Sequence, residues 1–194
     1  MEQKKLNAKD LITVGTFTVI YIILFFATMM TGYIPIFIVL LPLICPIICG
    51  IPFMLFLTKI KSFGMLTIMG TILGIFFGVM GNGIFTVVSG IVFGLIADFI
   101  LKSGGYSKMK TAFISHGIFS MWIMGIPAQM FLTRATYFAS MVDGYGQEYV
   151  DNLMGMTPMW MFPVMFVMCF VGGIIGSFIG KATLNKHFKK AGIV

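Results

Sequence analysis

From Leu11 to Met30 the chain carries no charged residue, and five further stretches have the same apolar character: 36–57, 63–80, 84–101, 111–131 and 158–180. About 20 apolar residues in a helix cross a hydrocarbon core ~30 Å thick. The pattern therefore predicts six transmembrane helices packed as one compact bundle. The second stretch contains Pro42, Pro46 and Pro52. Proline inside a spanning helix leaves backbone groups without partners, so this stretch is expected to kink and to face protein or a wet cavity.

Six crossings place both termini on one side, together with the connectors 58–62 and 102–110. Connectors 31–35, 81–83 and 132–157 fall on the other. The polar residues separate sharply between these two sets. Lys4, Lys5, Lys9, Lys59, Lys61, Lys102, Lys108, Lys110, Lys181, Lys186, Lys189 and Lys190 lie on the first side, and Arg134 alone on the second. Excess Lys and Arg marks the cytoplasmic face. Both termini are thus expected in the cytoplasm, with 132–157 as the long extracellular loop. The basic start and the apolar run after it resemble a signal peptide, but no small-residue cleavage site follows, so the run is read as a retained first helix.

Composition agrees with a membrane protein. The chain of 194 residues is 59% hydrophobic and 10% charged, with a mean hydropathy of +1.03. Soluble domains are about 45–50% apolar and about 25% charged. Residues 1–194 read as a single transmembrane domain of an all-α integral membrane protein. The net charge of +7 comes from lysines that flank spans, where anionic lipid headgroups account for them and nucleic acid is not expected.

Motifs that would carry catalysis are missing. "GSFIGKAT" at 176–183 has three residues between Gly176 and Gly180 where a phosphate loop needs four, and Ala182 where Ser or Thr should stand. No H-E-x-x-H or G-x-S-x-G occurs, so the chain is not expected to be an enzyme or to hold a cofactor. His116 reads as a helix–helix hydrogen-bonding residue. Cys45, Cys49 and Cys169 lie inside apolar runs without metal-ligand spacing and read as small buried side chains. No metal site is expected. Glycines recur every four residues at 70, 74 and 78, at 90 and 94, and at 172, 176 and 180. Such stripes let helix backbones approach closely, either within the bundle or against a partner. Asp98, near the end of the fourth stretch, is expected to pair with Lys102 at i+4 or to meet a cytoplasmic partner.

The stretch "FLTRATYFASMVDGYGQEYVDNL" holds Arg134 and half of the acidic residues, Asp143, Glu148 and Asp151. Arg134 either pairs with Glu148 or Asp151 or meets an anionic group on a ligand, for which its guanidinium fork is suited. Around it stand Tyr137, Phe138, Tyr145, Tyr149 and Trp160, with Tyr33 and Asn82 on the short connectors and Trp122 and Gln129 in the fifth stretch. Aromatic walls with a few polar anchors fit a small-molecule pocket. Arg134, Tyr137, Trp160, Asn82, Trp122, Gln129, Tyr33 and Glu148 are the candidate substrate-binding residues. Gly144 and Gly146 are candidate hinges of a lid.

The segments "DLITVGTFTVIYIILFF", "GIPFMLFLTKIKSFGMLTIMGTILG", "FGLIADFILKSGGY", "YGQEYVDNLMGMTPMWMFPV" and "GKATLNKHFKKAGIV" resemble the Trep_Strep (MptD-like) family of energy-coupling factor (ECF) transporter S components. The resemblance implies a multi-pass subunit of the prokaryotic plasma membrane. Such a subunit captures a small solute from outside, and a transmembrane coupling subunit (EcfT-like) with two ATPase subunits drives its uptake. It further implies contact with the coupling subunit through a small-residue stripe on helix one. Gly15 fits that stripe, although Val19 stands at i+4 where alanine is usual. Gly15 and Asp98 are the candidate partner-contact residues. The alternative is a self-sufficient, small oligomeric transporter or channel.

Overall fold

A computed structural model describes residues 6–185. Lys4, Lys5, Lys186, Lys189 and Lys190 lie outside them. The described residues form helices and no strand.

Helix α1, Ala8–Met29, opens with a capping box. The Asn7 side chain accepts from the Asp10 amide at 3.0 Å, and the Asp10 carboxylate accepts from the Asn7 amide at 3.1 Å. A 3-10 turn, Met30–Tyr33, leads into α2, Pro35–Lys59. Pro42, Pro46 and Pro52 sit inside α2 without breaking it, and all three are buried against neighbouring helices. Helices α3, Met65–Phe77, and α4, Gly83–Ser103, fold back on each other through Gly78–Asn82. This turn needs glycine: Gly81 has φ 108° and Gly83 φ 69°, values a side chain disfavours.

Helix α5, Met109–Ser120, is followed by a 3-10 turn, Met121–Gly125, and by α6, Ala128–Leu132. Then come α7, Arg134–Tyr145, α8, Gln147–Met156, and α9, Met161–Thr183. Among the described residues, four segments are long and apolar enough to cross a membrane: Ala8–Tyr33, Pro35–Lys59, Met65–Ser103 and Met161–Thr183. The third is the α3–α4 hairpin.

Two expectations need correction. The stretch 111–131 is not one continuous helix: Gly125 lies against the backbone of Phe85 and Thr86, and Pro127 has no amide to donate. Residues 132–157 are not a loop but two helices, α7 and α8, broken at Gly146 with φ 83°. Gly146 thus separates the two helices, whereas Gly144 lies within α7.

The glycine stripes meet one another inside the chain. Gly172 lies on the Leu43 carbonyl, Gly176 on Pro46 and Gly50, and Gly180 on Gly50 and Met54, so α2 and α9 run parallel. Gly70 faces Gly90 and Gly94, and Gly74 faces Thr86 and Val87, so α3 and α4 run antiparallel. Lipid tails are as apolar as the helices, so association relies on this close dispersion contact and on buried hydrogen bonds. Ser115 Oγ on α5 donates to the Ala97 carbonyl of α4 at 2.9 Å, and Ser89 Oγ donates to the Trp122 carbonyl at 2.8 Å. His116 Nδ1 lies 2.9 Å from Ser177 Oγ on α9, which itself donates to the Gly173 carbonyl. With the hydroxyl hydrogen directed at the Gly173 carbonyl, the pair is satisfied by the Nδ1–H tautomer of His116.

At the centre, Tyr21, Phe25, Phe77, Phe119 and Trp122 form an aromatic cluster with centroids 4.9–6.4 Å apart. One end of the bundle gathers Lys108 and Lys181 with Thr58, Leu101 and Tyr106 around a cavity of about 210 Å³. The opposite end carries the α7–α8 pair and Arg134.

Candidate functional site

A second cavity, of about 290 Å³, lies at the lysine-poor end above the aromatic cluster. The end of α1 contributes Phe25, Phe26 and Met29, and the turn after it Met30, Gly32 and Tyr33. Asn82 enters from the α3–α4 turn, and Ile126 and Pro127 from the break after α5. Ile38, Leu41 and Pro42 of α2 line a further wall, and Tyr137, Met141 and Tyr145 another. Their spacing of four places them on one face of α7.

Polar groups fix this arrangement. Asn82 Nδ2 donates to the Phe77 carbonyl at 3.0 Å, which sets the direction of its amide. Tyr149 on α8 donates to the Gly32 carbonyl at 2.6 Å, and its ring stacks on Tyr145 at 4.8 Å. Tyr145 in turn faces Tyr33 at 6.2 Å. Burial, with smaller contributions from Tyr145 and Tyr137, pushes the Tyr149 hydroxyl up to about 12. Burial and then Tyr145 raise Tyr137 as well. Both hydroxyls therefore keep their protons at neutral pH.

Arg134 is engaged elsewhere. Its Nη1 donates to the Thr157 carbonyl at 2.7 Å and its Nη2 to the Met154 carbonyl at 2.9 Å. The guanidinium lies 4.8 Å from the Phe138 ring centroid. It thus closes the last turn of α8, where carbonyls lack helical partners and a cation is favoured. The sequence offered Arg134 either Glu148 or Asp151 in its own segment or an anionic group on a ligand; Asp151 accepts from Gln147 instead.

Of the remaining candidates, Tyr33, Asn82 and Tyr137 line the cavity. Trp122 is fully buried beneath it, 5.1 Å from Phe25. Gln129 packs against Gly83. Trp160 and Glu148 are exposed on the outer surface. Gly15 lies on a part of α1 where an added methyl would meet nothing within 4 Å. Asp98 is buried at the opposite end. Its Oδ2 accepts from the Gly64 amide at 3.0 Å, the Thr67 amide at 2.9 Å and Thr67 Oγ1 at 2.8 Å. Rather than pairing with Lys102, it caps α3, and the Lys102 ammonium lies over the Phe63 ring.

Sequence reasoning passed over Met141 and the apolar floor of the cavity. The signal for Met141 was its place midway between Tyr137 and Tyr145, a helical stripe inside a segment read as loop. Among the described residues, no group of three His, Cys, Asp or Glu side chains is placed to hold a metal ion.

No curated protein and no solved structure matches the chain. A family described as hypothetical bacterial integral membrane protein (Trep_Strep) matches over residues 8–190. With nearly the whole chain covered, the protein belongs to the Trep_Strep family of bacterial integral membrane proteins.

Proposed function

We propose that this protein is the solute-capturing S component of an ECF importer, with six membrane crossings and both termini in the cytoplasm. The observation that carries the reading is the cavity at the lysine-poor end, walled by Tyr137, Met141 and Tyr145 of a helical lid. A cavity at one end of the bundle suits capture of a solute on one side of the membrane. The sequence lacks a phosphate loop, which suits a subunit whose ATP is hydrolysed by partners. Counting the α3–α4 hairpin as two crossings and the broken fifth stretch as one more brings the four long apolar segments to six. Lysine placement supports the orientation. The lipid-facing side of α1, with Ile12, Val19 and Ile23 exposed and Gly15 free of neighbours, suits contact with an EcfT-like coupling subunit.

Expression of the tagged chain with a coupling subunit and two ATPase subunits tests this. All four should purify together, and solute uptake should stop when the Walker lysines of the ATPases are replaced. Full-rate uptake by this chain alone would instead establish a self-sufficient transporter.

A further inference from the structure

We propose that the cavity takes an uncharged, flat solute of one or two rings that donates a hydrogen bond to Asn82; this rests on reading the chain as a solute-binding subunit. None of the residues lining the cavity carries a charge. The nearest cation by sequence, Arg134, has both terminal nitrogens bound to main-chain carbonyls of α8. A carboxylate or phosphate entering the cavity would give up part of its water against a largely apolar lining without gaining a counter-ion there, which is unfavourable. No carboxylate lines the walls, so a cation would have only aromatic faces to offset its lost water.

Shape points the same way. Phe25, Phe26, Tyr33, Tyr137 and Tyr145 are among the lining residues, and aromatic walls favour planar guests stacked or set edge to face. A volume of about 290 Å³ lies at the lower end of small-molecule sites, which begin at about 300 Å³. This admits one or two rings.

Asn82 and the hydroxyls of Tyr33, Tyr137 and Tyr145 are the polar side-chain groups of the lining, and of these Asn82 is the one fixed by a bond to the main chain. Because Nδ2 is held by the Phe77 carbonyl, the side-chain oxygen is left as an acceptor with a set direction. A site built to accept a hydrogen bond discriminates against analogues that cannot supply one. The matching solute therefore carries an N–H or O–H on its ring edge, as nucleobases and carboxamides do.

Purified protein in detergent at pH 7 is heated with three matched pairs: uracil and orotate, nicotinamide and nicotinate, indole-3-acetamide and indole-3-acetate. The uncharged member of at least one pair should raise the unfolding midpoint, with an apparent Kd at least about tenfold below that of its acid. Asn82→Ala should abolish that shift, and Met141→Lys, which places an ammonium in the wall, should transfer the preference to the acid. Stabilisation of the wild type by an acid as strongly as by its neutral partner overturns the inference, as does no shift from any uncharged member. Neither result touches assembly with the ATPase and coupling subunits, which is read by co-purification.

Discussion

The hydroxyl of Tyr149 and the carbonyl of Gly32 meet at 2.6 Å, joining α8 to the turn that follows α1 across 117 positions of sequence. This bond fastens the lid helices to the body of the bundle at the rim of the cavity. Tyr149→Phe keeps the ring and its stacking on Tyr145 but removes the donor. The expected loss is about 1 kcal/mol, read as several-fold faster amide exchange across Gln147–Met156.

The same bond should respond to alkali. The Tyr149 hydroxyl titrates at about 12 against an ordinary 10.0. A raised value means that the folded protein holds this proton more tightly than the unfolded chain. Its contribution is therefore complete below pH 10 and lost as pH rises toward 12. Lid protection measured by exchange or proteolysis should fall in that window in the wild type and show no such step in Tyr149→Phe.

Arg134 acts on the lid rather than on the cavity. Its two charge-assisted bonds to the Met154 and Thr157 carbonyls imply that Arg134→Gln destabilises α8 by about 1.5–3 kcal/mol. Arg134→Lys should restore only part of this, because an ammonium cannot reproduce the fork. The readout is proteolysis within α8 in protein free of solute. A variant that weakened solute binding with α8 fully protected would place the guanidinium on the ligand instead.

Glycine substitutions separate packed from unpacked positions. At Gly176 a methyl group would run into the Pro46 carbonyl and the backbone of Ile47 and Gly50. Gly176→Ala should lower stability by about 1–3 kcal/mol or prevent accumulation in the membrane. Gly144, inside α7 with nothing within 4 Å of its methyl position, should give the opposite sign. Gly144→Ala is expected to stabilise by about 0.5–1 kcal/mol. Thermal unfolding in detergent compares the two.

Asp98 supports the α3–α4 hairpin. Asp98→Ala leaves the amides of Gly64 and Thr67 without their shared acceptor and should cost about 2–3 kcal/mol. Asp98→Asn retains an acceptor and should cost less. Lys102→Gln should be nearly neutral, since that ammonium lies over Phe63. A large effect at Lys102 would restore the i, i+4 pair.

Much of the bundle was legible in the sequence because lipid imposes simple rules. The stretches 36–57 and 158–180 correspond closely to α2 and α9, and the four-residue glycine stripes mark the faces on which helices meet. The break after α5 was not legible: Gly125 and Pro127 sit in an apolar run, and only the approach of Phe85 and Thr86 shows why it bends. The lid was read as loop because α7 and α8 are polar on their outer faces, which hides the Tyr137–Met141–Tyr145 stripe. Partners of Arg134 and Asp98 were out of reach for a different reason. Apart from the Thr67 hydroxyl on Asp98, they are main-chain groups 20 to 34 positions away, and no side-chain identity announces a backbone carbonyl or amide.

The account depends most on which side of the membrane the cavity faces. Single cysteines at Asp143, exposed on the lid, and at Lys110, exposed at the lysine-rich end, report this directly, since Cys45, Cys49 and Cys169 are buried. A membrane-impermeant maleimide should label Asp143→Cys in intact cells and Lys110→Cys only after permeabilisation. The reverse order of labelling would place the cavity in the cytoplasm and contradict a subunit that captures its solute from outside.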